Sequence, residues 1–427
     1  MGSTGSGGGD REDRHDGAPP RRRLPIAPRA PAARRGLPLA AEARPVDVAT
    51  RPILAVWEIT LACDLACGHC GSRAGRARPD ELSTAEALDL VDQLADLGVL
   101  EVVLIGGEAY LRDDWCQLVR RIAERGMQPL LTTGGRGLTP ARVAEARAAG
   151  LVSASVSIDG DAATHDRLRG VAGAHAAALA AMRALRDGGV PVSVNTQINR
   201  WSLAELPAVL DTLIAHGAHS WQLQLTVAMG RAADTPELLL QPYDLLTLFP
   251  MLDTLLDRCR AADVLVWPGN NLGYFGPLEH KLRGTLPRGH MVSCGAGRWG
   301  LGIEADGTLK GCPSLATATW AGGNVRDAPL RDIWERAAPL RYNRDRTVDD
   351  LWGFCRTCYY ADTCRAGCTW TSESLLGRPG NNPMCHHRAL ELAARGLRER
   401  LVQVEAAPGR PFDMGRFELV VEPLDGA

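Results

Sequence analysis

The chain has 427 residues, 45% hydrophobic and 23% charged, the composition of an ordinary globular protein with length for two or three domains. A formal net charge of −2 gives no electrostatic footprint for nucleic acid. No apolar run reaches the roughly 18 residues of a membrane span, and no signal-peptide h-region precedes the first apolar strand, so a cytoplasmic location is expected.

In chain order, residues 1–47 are rich in Gly, Pro, Arg and Ala and lack hydrophobic periodicity, which reads as a disordered arm. Residues 48–267 alternate short apolar runs with amphipathic stretches. Strands are expected at Ile53–Thr60, Glu101–Ile105, Gln128–Thr133, Val152–Ile158, Pro191–Ile198 and Trp221–Val227. Helical patterns fill the intervals from Thr84–Leu97 to Tyr243–Arg260, and Ser83 with Glu86 makes a capping box for the first. Six such repeats imply an α/β fold with a parallel sheet, either doubly wound or a barrel, and an active site at the carboxyl ends of the strands. From about residue 290 the pattern becomes Gly-punctuated and holds seven of the twelve cysteines. A helical finish is expected from Arg388 to about Val404, then a short strand at Phe417–Val421.

The cysteines cluster, which in a chain without export signals reads as metal ligation in a reducing compartment. Cys63-x3-Cys67-x2-Cys70 lies directly after the first strand. Three thiolates fill three corners of a four-iron cluster and leave one iron open to a ligand that is not protein. Gly68 and Gly71 favour a wrapping loop over three thiols on one helical face, and the trio lacks the paired C-x2-C halves usual for zinc. Gly106-Gly107-Glu108 ends the second strand, where glycines permit close backbone approach and a carboxylate can accept from an ammonium. Ser153, Ser155 and Ser157 share one face of the fourth strand, either filling a polar layer or meeting a ribose or carboxylate.

The trio, the GGE and the run SIDG, with His165-Asp166 and Arg169-Gly170 after it, resemble the radical S-adenosylmethionine (SAM) enzymes, with His69 where an aromatic usually precedes the last cysteine and Ala109 in place of Pro. That resemblance implies a partial (β/α)6 TIM-like barrel. It also implies SAM chelated by the open iron and split by one electron to a 5′-deoxyadenosyl radical. By the same resemblance Gly106, Gly107 and Glu108 take the SAM amino group and Arg169 its carboxylate. Ser155, Ser157 and Asn195 face the ribose or methionine, and Thr132-Thr133-Gly134 belongs to the same ring. His165 is read as structural. Cys294, Gly307 and Cys312, then Cys355-x2-Cys358-x5-Cys364-x3-Cys368, then Cys385, resemble the seven-cysteine SPASM pattern, which assigns residues 268–400 to an auxiliary-cluster domain and 401–427 to a tail. This implies two auxiliary [4Fe–4S] clusters, one on Cys355, Cys358, Cys364 and Cys385 and one on Cys294, Cys312 and Cys368. The second lacks a fourth cysteine nearby; a non-cysteine ligand, a distant cysteine and an open iron all remain. Zinc is the competing metal for the C-x2-C half. Cys116 and Cys259 fall in helical patterns and read as ordinary buried residues.

The resemblance covers roughly residues 50 to 420, and CGHCGSRAGRARPDELS, TTGGRGLTP and LWGFCRTCYYADTCRAGCTW resemble the maturases associated with GDL-motif peptides. It implies an oxidoreductase that modifies a ribosomally made precursor peptide by cross-linking, epimerisation or another C–H functionalisation. An electron donor such as flavodoxin or ferredoxin is implied, and no winged-helix segment precedes Pro52, so leader binding falls to a separate protein or to the SPASM region. Trp267 to Gly276 is a substrate wall or a linker. One alternative is a sulfatase-maturing, formylglycine-generating enzyme; those relatives carry Asp after the second SPASM cysteine, where this chain has Pro313. The other is a non-catalytic iron–sulfur redox or scaffold protein, which needs no SAM cradle.

Overall fold

The computed structural model describes residues 2, 22–23, 39–284 and 293–424. Its centre is a ten-stranded sheet, open at both ends. Seven parallel strands follow in chain order: β1 (Leu54–Glu58), β2 (Glu101–Ile105), β3 (Gln128–Thr133), β4 (Ser153–Ser157), β5 (Val192–Ile198), β6 (Ser220–Leu225) and β7 (Leu265–Pro268). The six expected strands are β1–β6. β7 is four residues ending in Pro268, too short for periodicity to reveal. Helices cover the convex side, the first opened by the Ser83–Glu86 capping box and closed by left-handed Gly98.

The cysteine-rich segment joins this sheet. β8 (Gly300–Ile303) pairs in parallel with β1, Leu54 opposite Gly300 and Trp57 opposite Ile303. β9 (Thr308–Lys310) and β10 (Gly323–Asn324) add antiparallel strands beyond it. The region read as a second domain therefore shares the main sheet, a non-local pairing that short Gly-rich strands do not announce.

Two expectations change. The helical finish ends at Ala393; left-handed Gly396 breaks it, and the alternating run LRERLVQVE becomes β11 (Leu397–Glu405), antiparallel to β12 (Arg416–Pro423). Most of the expected arm lies outside the described residues, yet its last three residues belong to a helix, Pro45–Ala49. Asp47 there is fully buried against Arg44, Arg341 and Arg344, a contact made nearly three hundred residues away. Arg22–Arg23 pairs antiparallel with β12.

The last helix, His386–Ala393, is locked to β11 by Arg388. Its guanidinium donates to both oxygens of Glu399 at 2.6 Å and also reaches Asn381 Oδ1, with both charged residues at most 4% exposed. Glu399→Ala strands that cation and should cost about 3–5 kcal/mol, read as a large drop in anaerobic melting temperature, with Glu399→Gln falling between.

Candidate functional site

The first strand ends at Glu58, and the chain then wraps through Cys63, Cys67 and Cys70 as a loop held by main-chain bonds from several sides. Gly107 N–H donates to Thr60 O (2.7 Å) and Glu108 N–H to Ala62 O (2.8 Å). Ala66 and Gly68 N–H donate to Arg169 O and Leu168 O (3.0 and 2.8 Å). Arg231 N–H donates to Cys70 O (3.0 Å), and its guanidinium to Cys67 O and Ala74 O. Phe412 N–H donates to Gly71 O (2.9 Å). A Cβ at Gly106 or Gly107 would overlap the carbonyl oxygens of Thr60 or Ala62, and Gly106 also needs φ of +146°. These glycines let the β2 turn press against the cysteine loop itself.

Burial pushes the Cys63 thiol up to about 12, and burial raises Cys67 against the pull of Arg169. Arg169 is itself buried, with one arm 2.5 Å from Asp159 and the other 3.7 Å from Cys67 Sγ. Burial, then Arg169, lowers His69 to about 4, so its imidazole is neutral, 4.0 Å from Asp159. Glu108 accepts from Thr133 Oγ1 (2.5 Å) and Gly134 N–H (2.7 Å), and burial still lifts it to about 7.

Beside this loop the concave face of the sheet encloses a cavity of about 660 Å³. One wall is apolar (Leu54, Val56, Val103, Ile105); the other is hydroxyls and amides, with Gln197 donating to Gln224 at 3.2 Å. Of the SAM residues expected, Gly106, Ser155 and Asn195 line the cavity, and Ser155 Oγ and Asn195 Oδ1 are buried without a hydrogen-bond partner. Gly107, Glu108, Ser157 and Arg169 do not line it. Glu108 accepts hydrogen bonds at the end of β3, and Arg169 lies between Asp159 and Cys67 of the cysteine loop. Of the stretch from Trp267 to Gly276, Trp267 lines the cavity.

The far end of the cavity is the cysteine-rich region: Pro313 and Ser314 follow Cys312, and Trp370 follows Cys368 by two. Cys294, Cys312 and Cys368 gather: burial first, then Cys368 and Cys312, pushes Cys294 well above the usual thiol range. Tyr342 lies against all three. Cys355, Cys358, Cys364 and Cys385 ring a separate cavity of about 20 Å³ walled by Phe354, Tyr360 and His387. Cys116 lies beside Glu145, and both it and Cys259 are buried in outer helices.

Among the described residues no three His, Cys, Asp or Glu side chains close round a single ion. The thiols surround space, and buried thiols become ligands only against a cation's charge. Both features fit multi-iron clusters, and the unpartnered polar atoms beside the first loop fit a polar ligand. Sequence reasoning missed Glu58, Arg231, Lys310, Trp370 and Phe412. For Glu58 a signal existed, a carboxylate ending an apolar strand; the others depend on contacts far along the chain.

Residues 57–212 match the family described as the radical SAM superfamily, and residues 294–359 match SPASM, an iron–sulfur cluster-binding domain. An AdoMet-dependent heme synthase from Nitratidesulfovibrio vulgaris is 30% identical over 358 residues, covering 78% of this chain and 92% of that protein. A PqqA peptide cyclase from Ruegeria pomeroyi is 29% identical over 368 residues, covering 81% and 91%. The crystal structure of Streptococcus suis SuiB bound to precursor peptide SuiA superposes with a TM-score of 0.59 at 18% identity, covering 79% of this chain and 75% of that one.

Gly107→Ala drives a methyl group into Ala62 O. It should cost the reconstituted protein about four of its roughly twelve irons, one cluster of three, measured by iron analysis, while the cysteine-rich region stays loaded.

Proposed function

Because the chain belongs to the radical SAM superfamily and carries a SPASM domain, we propose that it is a maturase that abstracts hydrogen from a ribosomally made precursor peptide lying in the 660 Å³ cavity. The observation that carries this reading is that one cavity touches the first cysteine loop at His69, Gly71 and Ser72 and the auxiliary region at Pro313, Ser314 and Trp370. A substrate there is within reach of both. We assign Cys63, Cys67 and Cys70 to the cluster that chelates SAM, Cys355, Cys358, Cys364 and Cys385 to one auxiliary cluster, and Cys294, Cys312 and Cys368 to the other. Bound at the first loop, SAM and its cluster supply a hydrogen-abstracting radical.

The protein's part is placement and exclusion of water. Ser155 and Asn195 offer unpartnered polar atoms to the ribose or methionine of SAM. The neutral imidazole of His69 packs beside the cluster without adding charge. Gln197, Gln222 and Gln224 present amides to a peptide backbone on the opposite wall, and the apolar wall takes side chains. Trp370 and Phe412 cover the auxiliary end. An external flavodoxin or ferredoxin supplies the electron, a separate protein binds the leader, and the enzyme works in the cytoplasm; no helix among the described residues is long and apolar enough to cross a membrane.

The heme synthase relative raises a second reading. A tetrapyrrole brings carboxylates, whereas the charged residues lining this cavity are Glu58, Glu101 and Glu304, and no Arg or Lys lines it. An anionic ligand against carboxylates is opposed electrostatically, so this lining favours a peptide. Pro313 in the cavity offers no carboxylate for the formylglycine reaction.

The test is anaerobic. Reconstituted protein should hold about twelve irons from three clusters, release 5′-deoxyadenosine with dithionite, and modify a candidate precursor peptide taken from short reading frames adjoining its gene but no carboxylated tetrapyrrole. Cys63→Ala, Cys67→Ala and Cys70→Ala together should abolish 5′-deoxyadenosine and keep about eight irons. About four irons with zinc in the remainder would refute the auxiliary assignment, and a silent scaffold would release no 5′-deoxyadenosine.

A further inference from the structure

Glu58 is the last residue of β1, 4% exposed, and lines the cavity at the end where the cysteine loop begins. Its Oε1 has no hydrogen-bond partner. The cation that faces it, Arg78, stands 3.6 Å away and is drawn off: its other arm donates to Glu304 Oε2 at 2.9 Å. Glu304 also takes Lys310 at 2.9 Å and the Thr317 hydroxyl, so the two positive charges of the network are gathered on Glu304. The result is a pair of neighbouring carboxylates with opposite character. Glu304 is saturated and its carboxyl lies at about 2, held there by Lys310, Thr317 and Arg78 against its burial. Glu58 is lifted to about 8 by burial, opposed by Arg78, with Glu304 pushing the same way as burial and Lys310 and Ser72 easing it.

The other titratable groups of the cavity do not compete. Glu101 opens β2, at the opposite end of the strands, and is exposed. His219 precedes β6 at that same end and lies 3.4 Å from Ser193. His69 turns its Nε2 toward Asp159; its Nδ1 is also without a partner, but the residue adjoins Cys70 inside the loop assigned to the cluster. Pro313 gives the auxiliary end no acid or base. Glu58 thus combines an oxygen with no hydrogen-bond partner and only a 3.6 Å ion pair to Arg78, position at the cysteine-loop end and a water-poor surrounding.

We propose that Glu58 is the general base of this site, its Oε1 taking the proton that the peptide sheds from an N–H, O–H or S–H group as that heteroatom bonds to the neighbouring carbon. This rests on the peptide-maturase reading. The heteroatom–hydrogen bond breaks, its electron pair forms the new bond to carbon, and the proton becomes the Glu58 carboxylic acid proton. When bound, SAM at the Cys63–Cys70 loop would take up the hydrogen atom from carbon as 5′-deoxyadenosine, and an auxiliary iron–sulfur cluster held by the later cysteines would be the acceptor for the one remaining electron, which balances the two-electron oxidation. A base is most effective when its pKa sits near the working pH, and contributions of roughly 10²–10⁴-fold are typical.

Two measurements on the reconstituted full chain test this. Without substrate, infrared difference spectra across pH 6 to 10 should show a buried carboxyl C=O band titrating near pH about 8 that is missing from Glu58→Gln; identical spectra from wild type and Glu58→Gln overturn the proposal. With the adjoining-gene peptide deuterated at carbon, Glu58→Gln should transfer deuterium to 5′-deoxyadenosine at the wild-type rate while modified peptide falls by roughly 10²-fold or more, and Glu58→Asp should restore part of it with a shifted pH profile. Wild-type product yield from Glu58→Gln, or joint loss of deuterium transfer and product, overturns it. Failure of wild type to modify the peptide defeats the maturase reading, and the infrared titration then still decides whether Glu58 is a poised base.

Discussion

The constraint on which the site depends is the backbone clasp of the segment from Thr60 to Gly75. Its carbonyls and amides are taken up by the β2 turn, by the Leu168–Arg169 turn, by Arg231 and by Phe412. Because these bonds hold the loop, no disulfide has to fasten it, and the three thiols, which accept only long hydrogen bonds of 3.4–3.7 Å, are available to a cofactor. The contacts are close enough that a single added methyl at Gly107 has nowhere to go. A loop held by this many bonds has little freedom to lose on binding a ligand.

The parts of the molecule legible in the sequence were those whose signal is local. Cys63, Cys67 and Cys70 follow a strand at short spacing, the Ser83 capping box lies within one turn, and β1–β6 each carry their own apolar run. The seven later cysteines fell into the two expected groups because their spacings are themselves the framework. What escaped has long sequence separation. β8 seats beside β1 across more than two hundred residues, Asp47 finds Arg344 across the length of the sheet, and Gly396 overrides a helical pattern that β12 pulls into a hairpin. Glu108 and Arg169 show a subtler limit: the motif was visible, but the protein partners of its side chains, Thr133, Asp159 and Cys67, were not.

The cavity is asymmetric in charge as well as in shape. Its two cations, Arg78 and Lys310, sit behind the wall; Lys310 is fully buried, bonded to Leu315 O and stacked 3.6 Å from the centre of the Phe412 ring. Positive charge is thus used to hold the auxiliary end together and is withheld from the lining. A lining of amides, hydroxyls and aliphatic groups is suited to a neutral polymer that offers its own donors and acceptors.

The Phe412 contact also bears on biosynthesis. Arg73 bonds Arg410 O and Asp413 across 337 and 340 residues, and Gly230 N–H bonds Asp413 O. A ribosome therefore releases the first cysteine loop long before its final lid exists. Phe412 N–H and the carboxylate of Asp413 reach Gly71 and Arg73 only once the last residues of the chain are made. A chain cut before residue 410 would therefore carry all three cysteines of the loop yet lack the ties that Gly71 and Arg73 make to Arg410, Phe412 and Asp413.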